Sequence, residues 1–422
     1  MTASLSPETH VRAGRPLATL LLVLTVFGPI SMDLYLPALP ALTTELGAAT
    51  STAQLTVTAC LIGLAAGQLI AGPLSDRFGR RGPALIGVAA YVLVSALCAA
   101  SPTVELLIAA RLVQGLAGGV GIVIAQAAGR DVYEGGRLIR FYGRLTVVGG
   151  LAAVIGPLIG GALTVILDWR GLFLVLAAIG AVILVWVALG LPETLAHGNR
   201  TAAGFGVIGR DVRMLLSDRR FVGAVVAQGF VYAALFAYLS GATYVLQGVY
   251  GLSPQAYALA FGLNSAGFMV FGYLAGRFSE TWSVLGTLIV GLVIAGLGAI
   301  GLLVAGLTSV PLAVVIVALF LLAAGTAVTS PPSTTLALAG YPRIAGTASS
   351  LLGAARFAFG GIAAPLVGVA GALSILPLGL VTTVAVAAAA ATAALLLRRP
   401  ALATATAGSI HPATEGTPTC VE

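Results

Sequence analysis

Long apolar stretches, separated by short polar gaps, follow one another along almost the whole chain. Each stretch is close to the ~20 residues that a helix needs to cross a bilayer. The pattern therefore predicts an all-α membrane protein of twelve spanning helices. The twelve runs lie at 16–40, 53–74, 83–100, 104–128, 143–166, 171–191, 221–247, 255–276, 283–305, 310–332, 345–368 and 372–397.

One polar gap is much longer than the others, and it divides the runs into two groups of six. Two repeated halves around a central site are a common transporter plan. The predicted layout is a tail, a six-helix bundle, a linker, a second six-helix bundle and a disordered tail, at 1–15, 16–191, 192–218, 219–397 and 398–422.

The arginines predict the orientation of the chain in the membrane. Of 21 basic residues, all arginine, Arg111 and Arg356 lie well inside runs and Arg170 lies in a segment predicted to be external. The other 18 lie in the remaining loops and tails or, for Arg144, at the adjoining edge of a run. Loops rich in positive charge stay in the cytoplasm. Both termini are therefore predicted to be cytoplasmic, in a bacterial inner membrane.

Composition supports the membrane assignment and excludes several other classes. The chain is 59% hydrophobic and 8% charged, with a mean hydropathy of +1.06, whereas globular proteins carry about 25% charged residues. The net charge of +7 is explained by topology, so no nucleic-acid partner is expected. The sequence contains no phosphate-binding G-x-x-x-x-G-K-[ST] loop, and its three histidines lie in tails or loops. We therefore expect no enzyme activity, metal or cofactor.

Ionisable residues inside a span are costly, and they mark candidate functional sites. Asp33 in run 1 is a candidate for proton exchange. Burial raises the proton affinity of a carboxylate and a nearby cation lowers it, so a carboxylate subject to both can bind and release a proton. Arg111 in run 4, with Gln114 one turn further on, needs an anion or a carbonyl, and Asp33 is its expected partner. Arg356 in run 11 has no acidic residue in the last six spans, so it is expected to face a central cavity. The alternatives are that Asp33 and Arg111 reach water at the membrane surface, and that Arg356 contacts backbone carbonyls.

Run 2 ends in the unusual sequence GPLSDRFGRR. Its glycines permit a tight turn, and a carboxylate stands among three arginines. If the ends of runs 2 and 4 are neighbours, Asp131 and this loop form a charge cluster. Such a cluster would stabilise one transport state and break in the other. The alternative is a set of solvated surface pairs. The candidate gating residues are Gly72, Asp76, Arg77, Gly79, Arg80 and Asp131.

Run 5 contains GGLAAVIGPLIGG. Gly156 and Gly160 make a flat packing face, and Pro157 loosens the backbone. The stretch does no chemistry itself. It either shapes the interface that opens and closes or forms an ordinary helix contact.

Together these motifs resemble the major facilitator superfamily over about residues 16–397. The loop at 72–81 resembles the superfamily signature, Arg111-x-x-Gln114-Gly its helix-4 motif, and the run 5 glycines its antiporter motif. The string DLYLPALP, from Asp33 through Tyr35, is similar to the bicyclomycin/chloramphenicol-resistance (Bcr/CflA) drug:proton antiporters. The resemblance implies that Asp33, Tyr35, Arg111 and Gln114 serve proton coupling and substrate binding.

Two departures from that family bear on the substrate. Some multidrug relatives carry a second helix-1 carboxylate, where this chain reads Leu24-Thr25-Val26. Arg356 stands where an uncharged residue is expected, and a cation in the cavity disfavours cationic drugs.

The sequence therefore predicts a monomeric exporter that expels a small amphiphilic antibiotic, of multidrug or amphenicol type, in exchange for protons. The proton gradient would be its energy source. One alternative is an uptake carrier for a small metabolite on the same fold. Others are a non-transporting membrane sensor and a lipid-modifying enzyme.

Overall fold

A computed structural model describes residues 15–133, 135–195, 205–278, 283–338, 340–341, 344–368 and 374–396, and in these residues it contains helices and no strands. Six helices form the first half and six the second. A further helix, α7, lies in the linker between them. The bounds are α1 Arg15–Glu45, α2 Thr50–Phe78, α3 Arg81–Ala100, α4 Val104–Val132, α5 Gly135–Leu163, α6 Trp169–Gly190, α7 Phe205–Ser217, α8 Arg219–Tyr244, α9 Pro254–Phe278, α10 Val284–Leu307, α11 Leu312–Leu338, α12 Ala345–Ala363 and α13 Leu376–Leu396.

Each predicted run corresponds to one of these helices, with α7 as the addition. Among the described residues, eleven helices are long and apolar enough to cross a membrane, and α5, at 29 residues, also has the required length. The prediction placed the end of run 2 too early. Pro73 lies inside α2 without ending it, and the helix continues to Phe78.

Helix α1 is broken twice on its way across the bundle. Its α-helical segments are Arg15–Leu24, Phe27–Asp33 and Leu39–Glu45, and a 3₁₀ turn precedes the last. Prolines explain the breaks, because a proline lacks an N–H group and clashes with the carbonyl four residues earlier. Pro29 stands four residues after Thr25, and Pro37 stands four residues after Asp33.

The two halves meet along two helix pairs, α2 with α12 and α5 with α9. Small residues bring these helices close. A Cβ atom on Gly361 of α12 would lie 3.2 Å from Ile62 of α2, and one on Gly262 of α9 would lie 3.0 Å from Leu158 of α5. Close approach of this kind favours dispersion contacts, which replace the hydrophobic effect between helices in lipid.

One end of the bundle carries the loop with Arg77, Arg80 and Arg81; we call it the arginine-rich end, and the other the arginine-poor end. Hydrogen bonds join the halves at the arginine-poor end. Thr243 Oγ1 of α8 donates to Leu36 O (3.0 Å), and Gln247 Nε2 donates to Pro37 O (3.1 Å). The hydroxyls of Thr43 and Tyr244 are 2.7 Å apart, and Gln255 donates to Gly161 O at 3.1 Å. The break in α1 is therefore held from the other half.

Candidate functional site

A cavity of about 500 Å³ lies between the two halves. Its lining residues belong to the middle of the helices and to their arginine-rich portions. The first half contributes a mixture of apolar and polar side chains that includes one carboxylate and two amides, and the second contributes most of the aromatic rings, a further amide and an arginine. The polar and aromatic lining includes Asp33, Gln68, Gln126, Tyr142, Tyr232, Phe236, Tyr238, Phe261, Asn264, Phe268, Thr334, Arg356 and Phe357.

Asp33 lines this cavity from the last residue of the middle segment of α1. The side chain is only 4% exposed, and its Oδ1 atom has no hydrogen-bond partner among the residues that the structure describes. A buried carboxylate without a partner is costly in its charged form. Asp33 is therefore a cavity-lining carboxylate that no described neighbour stabilises through a hydrogen bond to Oδ1.

Arg111 does not pair with Asp33, contrary to the sequence prediction. Its guanidinium is fully buried and donates from Nη1 to Ser31 O (2.9 Å) and to Gln114 Oε1 (2.6 Å), and from Nε to Thr56 O (3.4 Å). The break in α1 explains the difference. Ser31 lies in the last turn before the break, where carbonyls lack helical partners, and Arg111 takes one of them.

Tyr35 and Gln114 belong to this buried Arg111 network and do not line the cavity. The Arg111 guanidinium lies over the Tyr35 ring, 4.4 Å from its centroid, and the Tyr35 hydroxyl is 3.1 Å from Thr56 Oγ1. Gln114 also donates to Ser95 Oγ at 2.7 Å. Of the four residues that the family resemblance implied, Asp33 therefore lines the cavity. The other three form a buried network beside the α1 break.

Arg356 lines the cavity from the second half, as the sequence predicted. When the Gln228 amide is oriented with its oxygen toward the guanidinium, this oxygen accepts hydrogen bonds from Arg356 Nε (3.1 Å) and Nη2 (2.7 Å). Nη2 also donates to Thr334 Oγ1 at 3.0 Å, and the group lies 5.0 Å from the centroid of the Tyr232 ring. The alternative prediction, a contact with backbone carbonyls, is not what the described residues show.

The glycines of α5 pack directly against the α1 break. A Cβ atom on Gly156 would lie 3.0 Å from Asp33 Cβ, and one on Gly160 would overlap the Leu34 carbonyl oxygen. Pro157 lies inside the helix without ending it. The predicted packing face therefore exists, and its partner is the backbone at Asp33.

The predicted charge cluster forms at the arginine-rich end, with Arg80 at its centre. Arg80 is 4% exposed. It donates to Asp76 (2.5 Å), to Ser75 Oγ (2.8 Å) and to Asp131 (2.8 and 3.3 Å). Burial opposes the charged guanidinium, but hydrogen bonds and attraction from Asp131 and Asp76 outweigh this and raise the pKa of Arg80. Glu193, after α6, accepts from the Arg80 backbone N–H at 2.8 Å.

Arg77 and Gly72 of the predicted gating loop behave differently from the expectation, whereas Gly79 behaves as expected. The Arg77 guanidinium lies over the Phe78 ring, 5.3 Å from its centroid, and makes no ion pair with a described residue. Gly79 has a φ of +90°, a conformation that requires glycine. Gly72 lies within α2, and nothing would lie within 4 Å of a Cβ there, so no close approach depends on it. The cluster joins ends of α2, α3 and α4 within the first half.

The sequence analysis missed several residues of the site. Glu193 was not predicted, because its hydrogen bond to Arg80 depends on the chain path after α6. Asn264 was missed because only ionisable residues were sought within the runs; an amide inside run 8 was the available signal. Ser31 and Thr56 contribute carbonyl oxygens, which carry no sequence signal.

Two bundles of six helices around a central cavity define a multi-pass membrane transporter. The family model for the Major Facilitator Superfamily matches residues 21–365, and the chain belongs to that family. The fold agrees, since the crystal structure of the nucleoside transporter NupG superposes with a TM-score of 0.72 at 12% identity, covering 90% of this chain and 99% of that one.

Curated relatives carry names that confirm the predicted resemblance to drug exporters. The chain is 36% identical over 355 residues to the uncharacterized MFS-type transporter YdgK of Bacillus subtilis, covering 84% of this chain and 88% of that protein. It is 28% identical to the bicyclomycin resistance protein homolog of Haemophilus influenzae (82% and 87% covered). It is 29% identical to the chloramphenicol resistance protein of Pseudomonas aeruginosa (86% and 85% covered). The protein is therefore a transporter of the bacterial cell membrane, and not an enzyme or a sensor.

Proposed function

We propose that this transporter is a proton-coupled antiporter that exports small amphiphilic antibiotics, with amphenicols as the first candidates. The observation that carries the proposal is the buried Asp33 carboxylate, which lines the cavity between the halves without a partner among the described residues. Relatives named for bicyclomycin and chloramphenicol resistance support the substrate class.

The coupling would work through the cost of burying charge. An ionised Asp33 is unfavourable in a closed cavity, so the carboxylate takes up a proton when the cavity faces the acidic outside. When the cavity faces the cytoplasm, an entering drug competes with that proton for the same site. Each conformational change then exchanges one species for the other.

Alternating access would consist of rocking the two halves around this cavity. The halves are hydrogen-bonded at the arginine-poor end, and the cavity lies toward the arginine-rich end. With the predicted orientation, this arrangement corresponds to an inward-facing state. Loading of a drug from the cytoplasm would be the next step of export.

The test is the internal pH of proteoliposomes when chloramphenicol is added. Wild type is expected to give a drug-triggered proton flux that Asp33→Asn abolishes. Glu105→Gln is the matched control, because Glu105 is an exposed carboxylate in the first turn of α4. A flux that survives in Asp33→Asn would contradict the role of Asp33. The absence of flux with a broad antibiotic panel would favour the metabolite carrier instead.

A further inference from the structure

A residue that lines the cavity from the second half carries an unpartnered amide oxygen. Asn264 of α9 is 1% exposed, and its amide nitrogen donates to the Tyr238 hydroxyl at 3.1 Å. Its Oδ1 atom has no partner among the described residues, and both side chains line the cavity. Because buried polar atoms are nearly always hydrogen-bonded, this acceptor points to a donor supplied by a ligand.

The Tyr238 hydroxyl accepts from the nitrogen of Asn264, so the amide oxygen is the atom without a partner among the described residues. Tyr238 is itself 2% exposed, and its ring stacks on Phe261 with centroids 5.8 Å apart. The pair is thus fixed on the wall of the cavity, and Tyr238 acts as a positioning residue.

Arg356 supplies the complementary donor on the same half. The Arg356 Nε and Nη2 atoms donate to Gln228, and Nη2 also donates to Thr334. The Nη1 atom has no acceptor among the described residues. No described carboxylate lies within ion-pair distance of the guanidinium. Its charge is therefore held in a fixed plane and remains available to an oxygen-rich group in the cavity.

We propose that Asn264 and Arg356 form a two-point substrate subsite in the second half. Asn264 Oδ1 accepts from an N–H or O–H group of the substrate, and Arg356 donates to an oxygen acceptor elsewhere on it. The cavity then selects neutral or anionic molecules that carry both groups, and it rejects permanent cations. This inference rests on the proposed drug export, and it assigns the selectivity to residues of the half that lacks Asp33.

The donor is tested by calorimetric binding to the purified transporter. Thiamphenicol and florfenicol form a suitable pair, because they differ by a hydroxyl in the first and a fluorine in the second. Wild type is expected to favour thiamphenicol by up to about tenfold, the size of one neutral hydrogen bond. Asn264→Leu is expected to remove the preference, and Tyr238→Phe to reduce it. Thr326→Val, a buried change away from the cavity, is expected to preserve it.

The charge selection is tested with tetraphenylphosphonium, a permanent cation. Wild type is expected to bind it weakly, and Arg356→Gln to bind it at least about tenfold more tightly, since one like-charge contact is removed. Arg277→Gln is the control, because Arg277 is an exposed arginine at the end of α9.

Three results would overturn the subsite. They are equal affinity of wild type for the two amphenicols, a preference that persists in Asn264→Leu, and equal binding of the cation by wild type and Arg356→Gln. Absence of all amphenicol binding would overturn the subsite together with amphenicol export. Selective binding without any proton flux would support the subsite and count against the proposed coupling alone.

Discussion

Gly160 of α5 faces the carbonyl oxygen of Leu34 so closely that no methyl group fits between them. Leu34 directly follows the cavity carboxylate Asp33, and it lies where α1 stops being helical. The glycine motif of α5 therefore positions the backbone that carries the candidate coupling residue. This contact explains why α5 needs a glycine at this position, and both of its partners belong to the first half of the molecule.

A methyl group at Gly160 is expected to displace the α1 break. Gly160→Ala should cost about 1–3 kcal/mol of stability through overpacking, and it should reduce drug export. Gly276→Ala, near the end of α9, is the control, because nothing lies within 4 Å of a Cβ at Gly276 and this residue does not line the cavity. Thermal unfolding in detergent and growth on antibiotic provide the two measurements. If Gly160→Ala had the stability and export of wild type, α1 and α5 would be able to move apart there without loss of stability, which would contradict the prediction.

The Arg111 network is expected to depend on Gln114 more than on Ser95. Gln114→Leu removes an acceptor from a buried guanidinium, which should cost about 1–3 kcal/mol. Ser95→Ala removes only a neutral partner of Gln114 and should cost less, because hydrogen bonds to charged groups are the stronger ones. Unfolding temperatures of the purified variants decide the order. The reverse order would mean that Arg111 is held mainly by the Ser31 and Thr56 carbonyls.

Arg80 and Arg77 are expected to differ sharply although both belong to the same loop. Arg80→Ala leaves Asp131 without its buried cation, so both the melting temperature and the export rate should fall. Arg77→Ala removes a guanidinium that lies over the Phe78 ring and makes no ion pair with a described residue, so it should stay near wild type. Equal losses in the two variants would indicate that Arg77 joins the cluster in another transport state.

The hydrogen bonds from α8 to the α1 break are expected to stabilise the closed arginine-poor end. Thr243→Val with Gln247→Leu removes the two neutral bonds to α1, of about 0.5–1.5 kcal/mol each, together with the bond between the two side chains. The population open at that end should rise, which distances between spin labels at positions 49 and 309 would report. Thr44→Val is the control, because its hydroxyl bonds to Pro40 O within its own helix. An unchanged distance distribution would contradict a closing role for these bonds.

The predicted orientation is tested with the native cysteines. Cys60 and Cys98 are fully buried, so Cys420 in the C-terminal tail should be the residue that reacts with a membrane-impermeant maleimide. Labelling is expected in inverted vesicles and not in intact cells. Ala49→Cys in a Cys420→Ser background should show the opposite pattern. Labelling of Cys420 in intact cells would reverse the assignment of the termini.

The sequence by itself determined the twelve spans, their division into two halves and the family. These features follow from apolar length, from charge in the loops and from local motifs, all of which are properties of neighbouring residues. The need for glycine at Gly79 and the meeting of Asp76 with Arg80 were also readable, because they lie within one short loop.

Only the tertiary structure decided which buried groups meet. It separated Arg111 from Asp33, because the break in α1 releases the Ser31 carbonyl to the arginine. It also placed Asn264 opposite the first half with a free oxygen. In a membrane, polar side chains and released carbonyls must find partners wherever the packed helices bring them together. That choice depends on helix rotation and on backbone breaks, which no single run encodes.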